Sequence, residues 1–171
     1  MEVRLGVRVT AIDRASQRLR LGDGSELTYD KLLLCVGSQP RRLEVPGHDL
    51  PGIHCLRTIA DVDAIRADVA GASRMVVVGG GYIGLEAAAC ARHLGLEATV
   101  LEMAERPMAR VVAPEVSAFY AARHEREGVR IVCNATVSAY AGHDRVAAVR
   151  CGEQEYLADL VIVGVGILPD V

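Results

Sequence analysis

The chain has 171 residues, 51% of them hydrophobic and 24% charged, and this size supports one main globular domain with a smaller appendage. A net charge of −3, one phenylalanine and no tryptophan give neither the basic surface nor the stacking platforms of a nucleic-acid-binding protein. No apolar run reaches the roughly 18 residues of a membrane span and the first residues are charged, so we expect no membrane segment and a cytoplasmic location.

The first predicted element is a meander of short strands within residues 3–37. Apolar residues alternate at Leu19 and Leu21, and Asp23–Gly24 is typical of a tight hairpin turn. The run Leu32–Val36 is apolar without interruption, which predicts a strand buried on both faces.

A loop and a short helix follow. Residues 40–53 are rich in proline and glycine, which indicates a crossing loop. Thr58 and Asp61 have the spacing of a capping box, which predicts a helix that ends at Gly71. The residues expected on its inward face are Val62, Ile65 and Val69.

The central unit is predicted as strand Met75–Gly79, helix Tyr82–Leu94 and strand Ala98–Glu102, a right-handed parallel crossover. A second helix begins at Pro114, ends at Gly128 and leads into another strand. The inward residues expected on the first helix are Ile83, Ala87, Ala91 and Leu94, and those on the second are Val116, Phe119 and Tyr120.

The end of the chain repeats its beginning. Residues 155–169 align without a gap on residues 26–40, with Asp, Gly and Pro coinciding at an offset of 129. A comparable meander precedes each copy, so we infer two homologous nucleotide-binding units. The five cysteines are widely spaced, with no C-x-x-C pair and no histidine at ligand spacing, which favours reduced core thiols and no metal site.

The glycine-rich turn Gly79-Gly80-Gly81-Tyr82-Ile83-Gly84 is the main candidate site. It directly follows a predicted strand and opens a helix. In a dinucleotide-binding turn the first glycine permits the tight turn, the second lets pyrophosphate approach the backbone and the third allows close packing. The helix start then supplies N–H groups to the phosphates. The alternative is a turn that serves packing alone.

Glu102 lies 23 residues after Gly79, near the spacing at which a carboxylate accepts from the adenosine ribose. Its charge would repel a 2′-phosphate, so NADH is favoured over NADPH. A solvated strand-end carboxylate is the alternative. Arg106 and Arg110 follow in the next loop, where either can flank the adenine or phosphate or face solvent.

Glu86 is expected in the first helical turn among apolar neighbours, where the helix dipole stabilises a carboxylate whatever its function. An ionised group in apolar surroundings needs a polar partner, and a nicotinamide carboxamide would supply one. Gly164 and Gly166 close the last predicted strand and would let the nicotinamide approach the backbone. They can also be ordinary turn glycines.

These residues resemble the pyridine nucleotide-disulfide oxidoreductase superfamily. The resemblance is carried by Val77–Glu86, Leu32–Arg42 and Val163–Gly166, and covers essentially the whole chain. Within that superfamily, Leu56–Thr58 and Ala109–Ser117 resemble the NADH-dependent ferredoxin reductases of the putidaredoxin reductase and rubredoxin reductase type.

The resemblance implies an enzyme that binds FAD and NADH, passes hydride to the flavin and passes electrons singly to a ferredoxin-type iron–sulfur protein. It implies that Glu86 positions the nicotinamide, and that Val36 and Gly37 belong to the FAD site, although valine stands where the family motif has threonine. The residues implied for NADH are Gly79, Gly80, Gly81, Tyr82, Ile83, Gly84, Glu102, Arg110, Gly164, Val165 and Gly166.

The predicted fold is therefore α/β, a Rossmann-like three-layer NAD(P)-binding domain with a β-meander, beside part of an FAD-domain meander. The predicted ranges are 1–44 for the partial FAD domain, 45–60 for the crossing loop, 61–166 for the NAD(P) domain and 167–171 for the return. The segment alone is expected to be inactive. The alternatives are an isolated NAD(H)-binding module, or part of another superfamily member such as an NADH oxidase or nitrite reductase.

Overall fold

A computed structural model describes residues 2–170, which divide into two units, one up to Gly37 and one from Ser38 onward. The first unit is an antiparallel meander of β1 (Val9–Asp13), β2 (Arg18–Leu21) and β3 (Glu26–Thr28), in that order. Leu19 and Leu21 are its buried residues, as the alternation predicted. The meander prediction is thus confirmed.

The buried strand predicted at Leu32–Val36 is wrong. This segment has no strand structure, and Leu33 is 84% exposed, with Leu34 and Val36 more than half exposed. A strand can bury both faces only between neighbouring strands and covering layers. Within the described residues of the first unit, β1–β3 pair with one another and none pairs with this segment.

The second unit contains the remaining elements. In chain order they are β4 (Ser38–Pro40), β5 (Ile53–Cys55), α1 (Ile59–Val69), β6 (Arg74–Val78), α2 (Tyr82–His93), β7 (Glu97–Leu101), α3 (Pro114–Arg126), β8 (Val129–Val132), β9 (Ala139–Gly142), β10 (Val146–Cys151), β11 (Gln154–Leu157), β12 (Leu160–Val163) and β13 (Ile167–Pro169). Among residues 2–170, none of the helices combines the length and hydrophobicity that a bilayer crossing requires.

The main sheet has five parallel strands in the order β5-β12-β6-β7-β8. Strands β11-β10-β9 form an antiparallel meander, and β13 pairs with β4. Alternate residues of β6 enter different cores: Val77 joins the cluster beside α2, while Val76 joins the cluster with the meander residues Val146 and Val149. This layered arrangement confirms the predicted α/β fold class, and it brings the carboxyl ends of β6 and β7 to one edge.

Side-chain contacts fix where two elements begin. The Thr58 hydroxyl accepts from the Asp61 N–H and the Asp61 carboxylate accepts from the Thr58 N–H, which confirms the capping box of α1. Asp159, just before β12, accepts from the backbone N–H groups of Ser73 and Arg74 at 2.9 Å and from the Arg74 guanidinium at 2.8 Å. Asp159 thereby aligns the start of β6 with the start of β12.

The predicted inward face of α2 is partly wrong, and that of α3 is wrong. In α2 the buried residues are Gly84, Leu85, Ala88 and Ala91, whereas Ile83 and Leu94 are exposed. The helix packs closely on the sheet with its smallest side chains, which a hydrophobicity pattern does not reveal. In α3 only Ser117 is buried, and all three residues predicted to face inward, Val116, Phe119 and Tyr120, are exposed.

The predicted crossing loop also contains a strand. Residues Ile53–Cys55 form β5, which pairs in parallel with β12. Three residues are too few for a recognisable period, and the pairing depends on a partner more than a hundred residues away in sequence. All five cysteines are free, but Cys35 and Cys90 are exposed and do not occupy the core positions that we expected.

Candidate functional site

The glycine turn lies between the end of β6 and the start of α2. Gly79 has φ +106°, a conformation that favours glycine, and its N–H donates to the Leu101 carbonyl of β7 at 2.8 Å. A Cβ at Gly79 would overlap the Gly164 carbonyl, and a Cβ at Gly84 would overlap the Gly79 carbonyl. Protein packing therefore requires the first and third glycines of the motif.

Gly81 differs from these two glycines. Its φ is −80°, which suits any residue, and a Cβ built there has no neighbour within 4 Å among the described residues. Gly81 instead lines a cavity of about 440 Å³. The protein itself thus does not require glycine at this position, whereas an incoming ligand would explain it.

The cavity brings together residues that the sequence places far apart. From the predicted set its walls contain Gly79, Gly81, Tyr82, Glu102, Arg110, Gly164 and Val165. The predicted residues that do not line it are Gly80, Ile83, Gly84, Gly166 and Glu86. Sequence reasoning missed several others, among them Arg41, Leu43, Met103, Thr136 and Val137.

Thr136 could have been found from its place in the fold. It follows β8, the strand beside β7, so it lies at the same carboxyl edge of the sheet as Glu102. The Ala135 N–H donates to the Glu102 carbonyl at 2.9 Å, which holds this stretch against the cavity. Arg41 had no comparable signal, because its N–H bonds to the carbonyl of the distant Gly166.

The N-terminus of α2 is open to an anion. Gly81 is the N-cap and provides no side-chain hydrogen bond. The first N–H groups of a helix have no partner within the helix, and they carry the positive end of its dipole. Because Gly81 and Tyr82 line the cavity, these donors stand at its wall.

Glu102 is the carboxylate of the site. Its Oε2 accepts from the Gly80 N–H at 2.6 Å and its Oε1 accepts from the Ala104 N–H at 2.8 Å. Each carboxylate oxygen has two acceptor positions, so each keeps one for a ligand hydroxyl. The alternative of a solvated strand-end carboxylate therefore does not hold, because Glu102 is partly buried and accepts two backbone hydrogen bonds.

The structure separates the two arginines that the sequence left equal. The Arg106 guanidinium donates to the carbonyls of Val112 and Ala109, each at 3.1 Å, and so holds its own loop together. Arg110 is exposed and lines the cavity. Of these two arginines, Arg110 is therefore the one available to a ligand, and Arg106 shapes the loop that carries it.

The candidate residues for the nicotinamide are less enclosed than those for the ribose and pyrophosphate. Glu86 lies beyond the first turn of α2, contrary to our expectation, and its side chain is exposed. Water can therefore solvate Glu86, and the argument from apolar neighbours does not hold. Gly164 donates its N–H to the Val78 carbonyl at 2.8 Å, and Gly166 has φ +110°. Tyr82 is half exposed at the cavity wall.

Three comparisons with known proteins identify the family and the fold of the chain. The family described as pyridine nucleotide-disulphide oxidoreductase matches residues 1–171. A ferredoxin–NAD(P)(+) reductase from Sphingomonas is 41% identical over 167 residues, covering 96% of this chain and 40% of the relative. The crystal structure of a ferredoxin reductase from Rhodopseudomonas palustris superposes with a TM-score of 0.85 at 39% identity, covering 98% of this chain and 42% of that one.

A covalent complex of putidaredoxin reductase with putidaredoxin is also similar. It has a TM-score of 0.81 at 41% identity, covering 96% of this chain and 41% of that chain. The chain therefore spans about two fifths of the length of these relatives.

Proposed function

Because the chain belongs to the pyridine nucleotide-disulphide oxidoreductase family, we propose that it is the NADH-binding part of an FAD-dependent ferredoxin reductase. The observation that carries the proposal is the single cavity shared by Gly81, Glu102, Arg110 and Gly164. An open helix start, a carboxylate and a cation around one cavity are the groups that a dinucleotide needs. The ferredoxin reductases among the relatives support the reaction class.

In this proposal the α2 N–H groups bind the pyrophosphate and Gly81 leaves room for its approach. The free acceptor positions of Glu102 receive the adenosine ribose hydroxyls, which favours NADH because a 2′-phosphate would meet a negative charge. Arg110 pairs with phosphate from the opposite loop.

The nicotinamide would lie towards Tyr82, Gly164 and Val165, which line the same cavity. There the chain binds and orients the ring, and the reaction needs no side-chain acid or base. Four other predicted residues shape the backbone near this site without lining the cavity: Gly80, Ile83, Gly84 and Gly166. The proposed role of Glu86 at the carboxamide rests on the family resemblance.

The described residues do not by themselves fit a flavin. Val36 is half exposed in a segment without strand partners, and Gly37 follows it with φ +84°. We therefore derive no step through FAD from this chain. The assignment of Val36 and Gly37 to an FAD site, and of residues 1–44, 45–60, 61–166 and 167–171 to their domains, stays a proposal.

The partner of the whole protein is proposed as a ferredoxin-type iron–sulfur protein, because relatives are named for that activity and one was captured with putidaredoxin. A second candidate is an NAD(H)-binding module that catalyses nothing. It is favoured by the exposed, unpaired Leu32–Val36 segment, which leaves the described flavin residues without a folded site.

Isothermal titration calorimetry of the 171-residue chain with NADH tests the binding claim. We expect saturable binding; no heat of binding at millimolar NADH would refute both candidates. A visible spectrum of the same preparation, recorded in air, separates them, since bound oxidised flavin makes a protein yellow. Bound flavin would eliminate the module, and its absence would favour it.

A further inference from the structure

We propose that Glu102 also acts as a positioning residue that holds the glycine turn in its binding conformation before the ligand arrives. This inference rests on the proposed function and adds a second role to the residue assigned to the ribose. It concerns pyrophosphate binding at the glycine turn, which is a different contact from the one with the ribose. The observations that support it are the hydrogen bonds of the backbone groups of Gly80, the second residue of the turn.

Gly80 is buried, and its two backbone hydrogen-bonding groups both bond to the stretch 102–108. Its N–H donates to Glu102 Oε2 at 2.6 Å, and its carbonyl accepts from the Met108 N–H at 2.9 Å. A buried amide without a partner is costly. Among the described residues, Glu102 is the acceptor that meets this need.

The stretch that holds Gly80 is itself well ordered by local contacts. Glu102 Oε1 accepts from Ala104, and the Met108 carbonyl accepts from the N–H groups of Val111 and Val112. Met108 is 3% exposed and adopts φ +54°, a conformation that a non-glycine residue keeps only when its surroundings enforce it. Glu102 thus links a loop held by its own hydrogen bonds to the turn that carries the phosphate donors.

The geometry permits both roles at once, because each Glu102 oxygen uses one acceptor position within the protein. If the link is broken, the turn gains alternative conformations and the apparent affinity falls by the fraction that remains competent. The loss then appears even for a ligand that has no ribose hydroxyl to offer. A residue that reads only the ribose would not show this loss.

The test uses Glu102→Met, in which a side chain of similar length replaces the carboxylate by a thioether, a far weaker acceptor, and the matched control Glu105→Met. Glu105 is an exposed glutamate of the same loop, without a hydrogen bond to the rest of the described chain. The ligands are NADH and an NADH analogue whose adenosine ribose lacks both hydroxyls. Amide hydrogen exchange of Gly80 is followed in the protein without ligand, with the β6 amides as the measure of intact folding.

In Glu102→Met we expect Gly80 exchange to accelerate about tenfold and affinity for the dideoxy analogue to fall about tenfold, the order of one charge-assisted hydrogen bond. Glu105→Met should change neither quantity. Unchanged affinity of Glu102→Met for the analogue would overturn the inference, and so would unchanged Gly80 exchange. Failure of the unmodified chain to bind NADH would instead refute the proposed function, while the exchange measurement would still report on the link.

Discussion

Replacing Gly81 by alanine distinguishes ligand approach from protein packing in the glycine turn. The added methyl group meets no described protein atom within 4 Å, and the backbone at φ −80° accepts alanine. Gly→Ala at a compatible position stabilises by about 0.4–1 kcal/mol through the unfolded state, and alanine is a poorer N-cap by a similar amount. We therefore expect the free energy of unfolding to change by less than about 0.5 kcal/mol.

Affinity should respond differently, because the methyl group projects into the cavity at the phosphate donors. Losing one hydrogen bond to a charged group costs about 1.5–3 kcal/mol, which corresponds to a dissociation constant roughly 10- to 150-fold higher. Calorimetry with NADH measures the affinity, and urea denaturation followed by circular dichroism measures the stability.

Two further glycines serve as controls. Gly71→Ala adds a methyl group in open space outside the cavity, so both stability and affinity should stay close to those of the unmodified chain. Gly84→Ala forces a methyl group against the Gly79 carbonyl and should destabilise by about 1–3 kcal/mol. Unweakened NADH binding by Gly81→Ala would refute the reasoning, because the ligand then does not approach the turn at Gly81.

Three other predictions follow from individual side chains. Glu102→Arg should raise the ratio of NADPH to NADH affinity even as both affinities fall; a constant ratio in paired titrations would show that Glu102 does not read the ribose. Burial raises the pKa of Tyr140 to about 12, and its hydroxyl has no hydrogen-bond partner among residues 2–170. Tyr140→Phe should therefore leave the free energy of unfolding in urea unchanged or raise it by up to about 1 kcal/mol. A lower free energy of unfolding would show that the hydroxyl has a partner. The hydrogen bond from Arg74 lowers the pKa of Asp159 in the folded chain below its usual value of 3.8. The stabilisation that ionised Asp159 contributes is therefore fully present above pH 3.8 and is lost as the pH falls through the lowered pKa. Asp159→Asn should melt at lower temperature near pH 7 and lose this part of the acid dependence, and a melting curve parallel to that of the unmodified chain down to pH 2 would contradict it.

The sequence was sufficient to predict those features that depend on residues close to one another in the chain. Gly79 and Gly84 were predicted because their motif requires a tight turn and close packing, and the structure shows both constraints. The Thr58 capping box was predicted because both partners lie within one helical turn. The placement of Glu102 at a strand end followed from the apolar run that became β7 and from the spacing from Gly79.

The sequence was insufficient where the reason is tertiary. Ile83 and Leu94 are apolar but exposed, since close approach to the sheet selects the small residues of α2. Strand β5 depends on β12, and Arg41 reaches the cavity through a bond to Gly166. The second contact of Glu102, with Gly80, joins positions 22 residues apart and has no signature in the pattern.

The exposed segment Leu32–Val36 has a consequence for the fate of the chain in a cell. Its aligned copy at residues 161–165 includes β12 residues that are buried between two strands, whereas Leu33 and Leu34 face solvent. Short apolar ribbons of this kind are the segments that chaperones hold and that template association between chains. We expect quality-control proteases to recognise the chain first at the segment Leu32–Val36. The abundance of the chain would then depend on whether this segment is covered as much as on the stability of the parallel sheet.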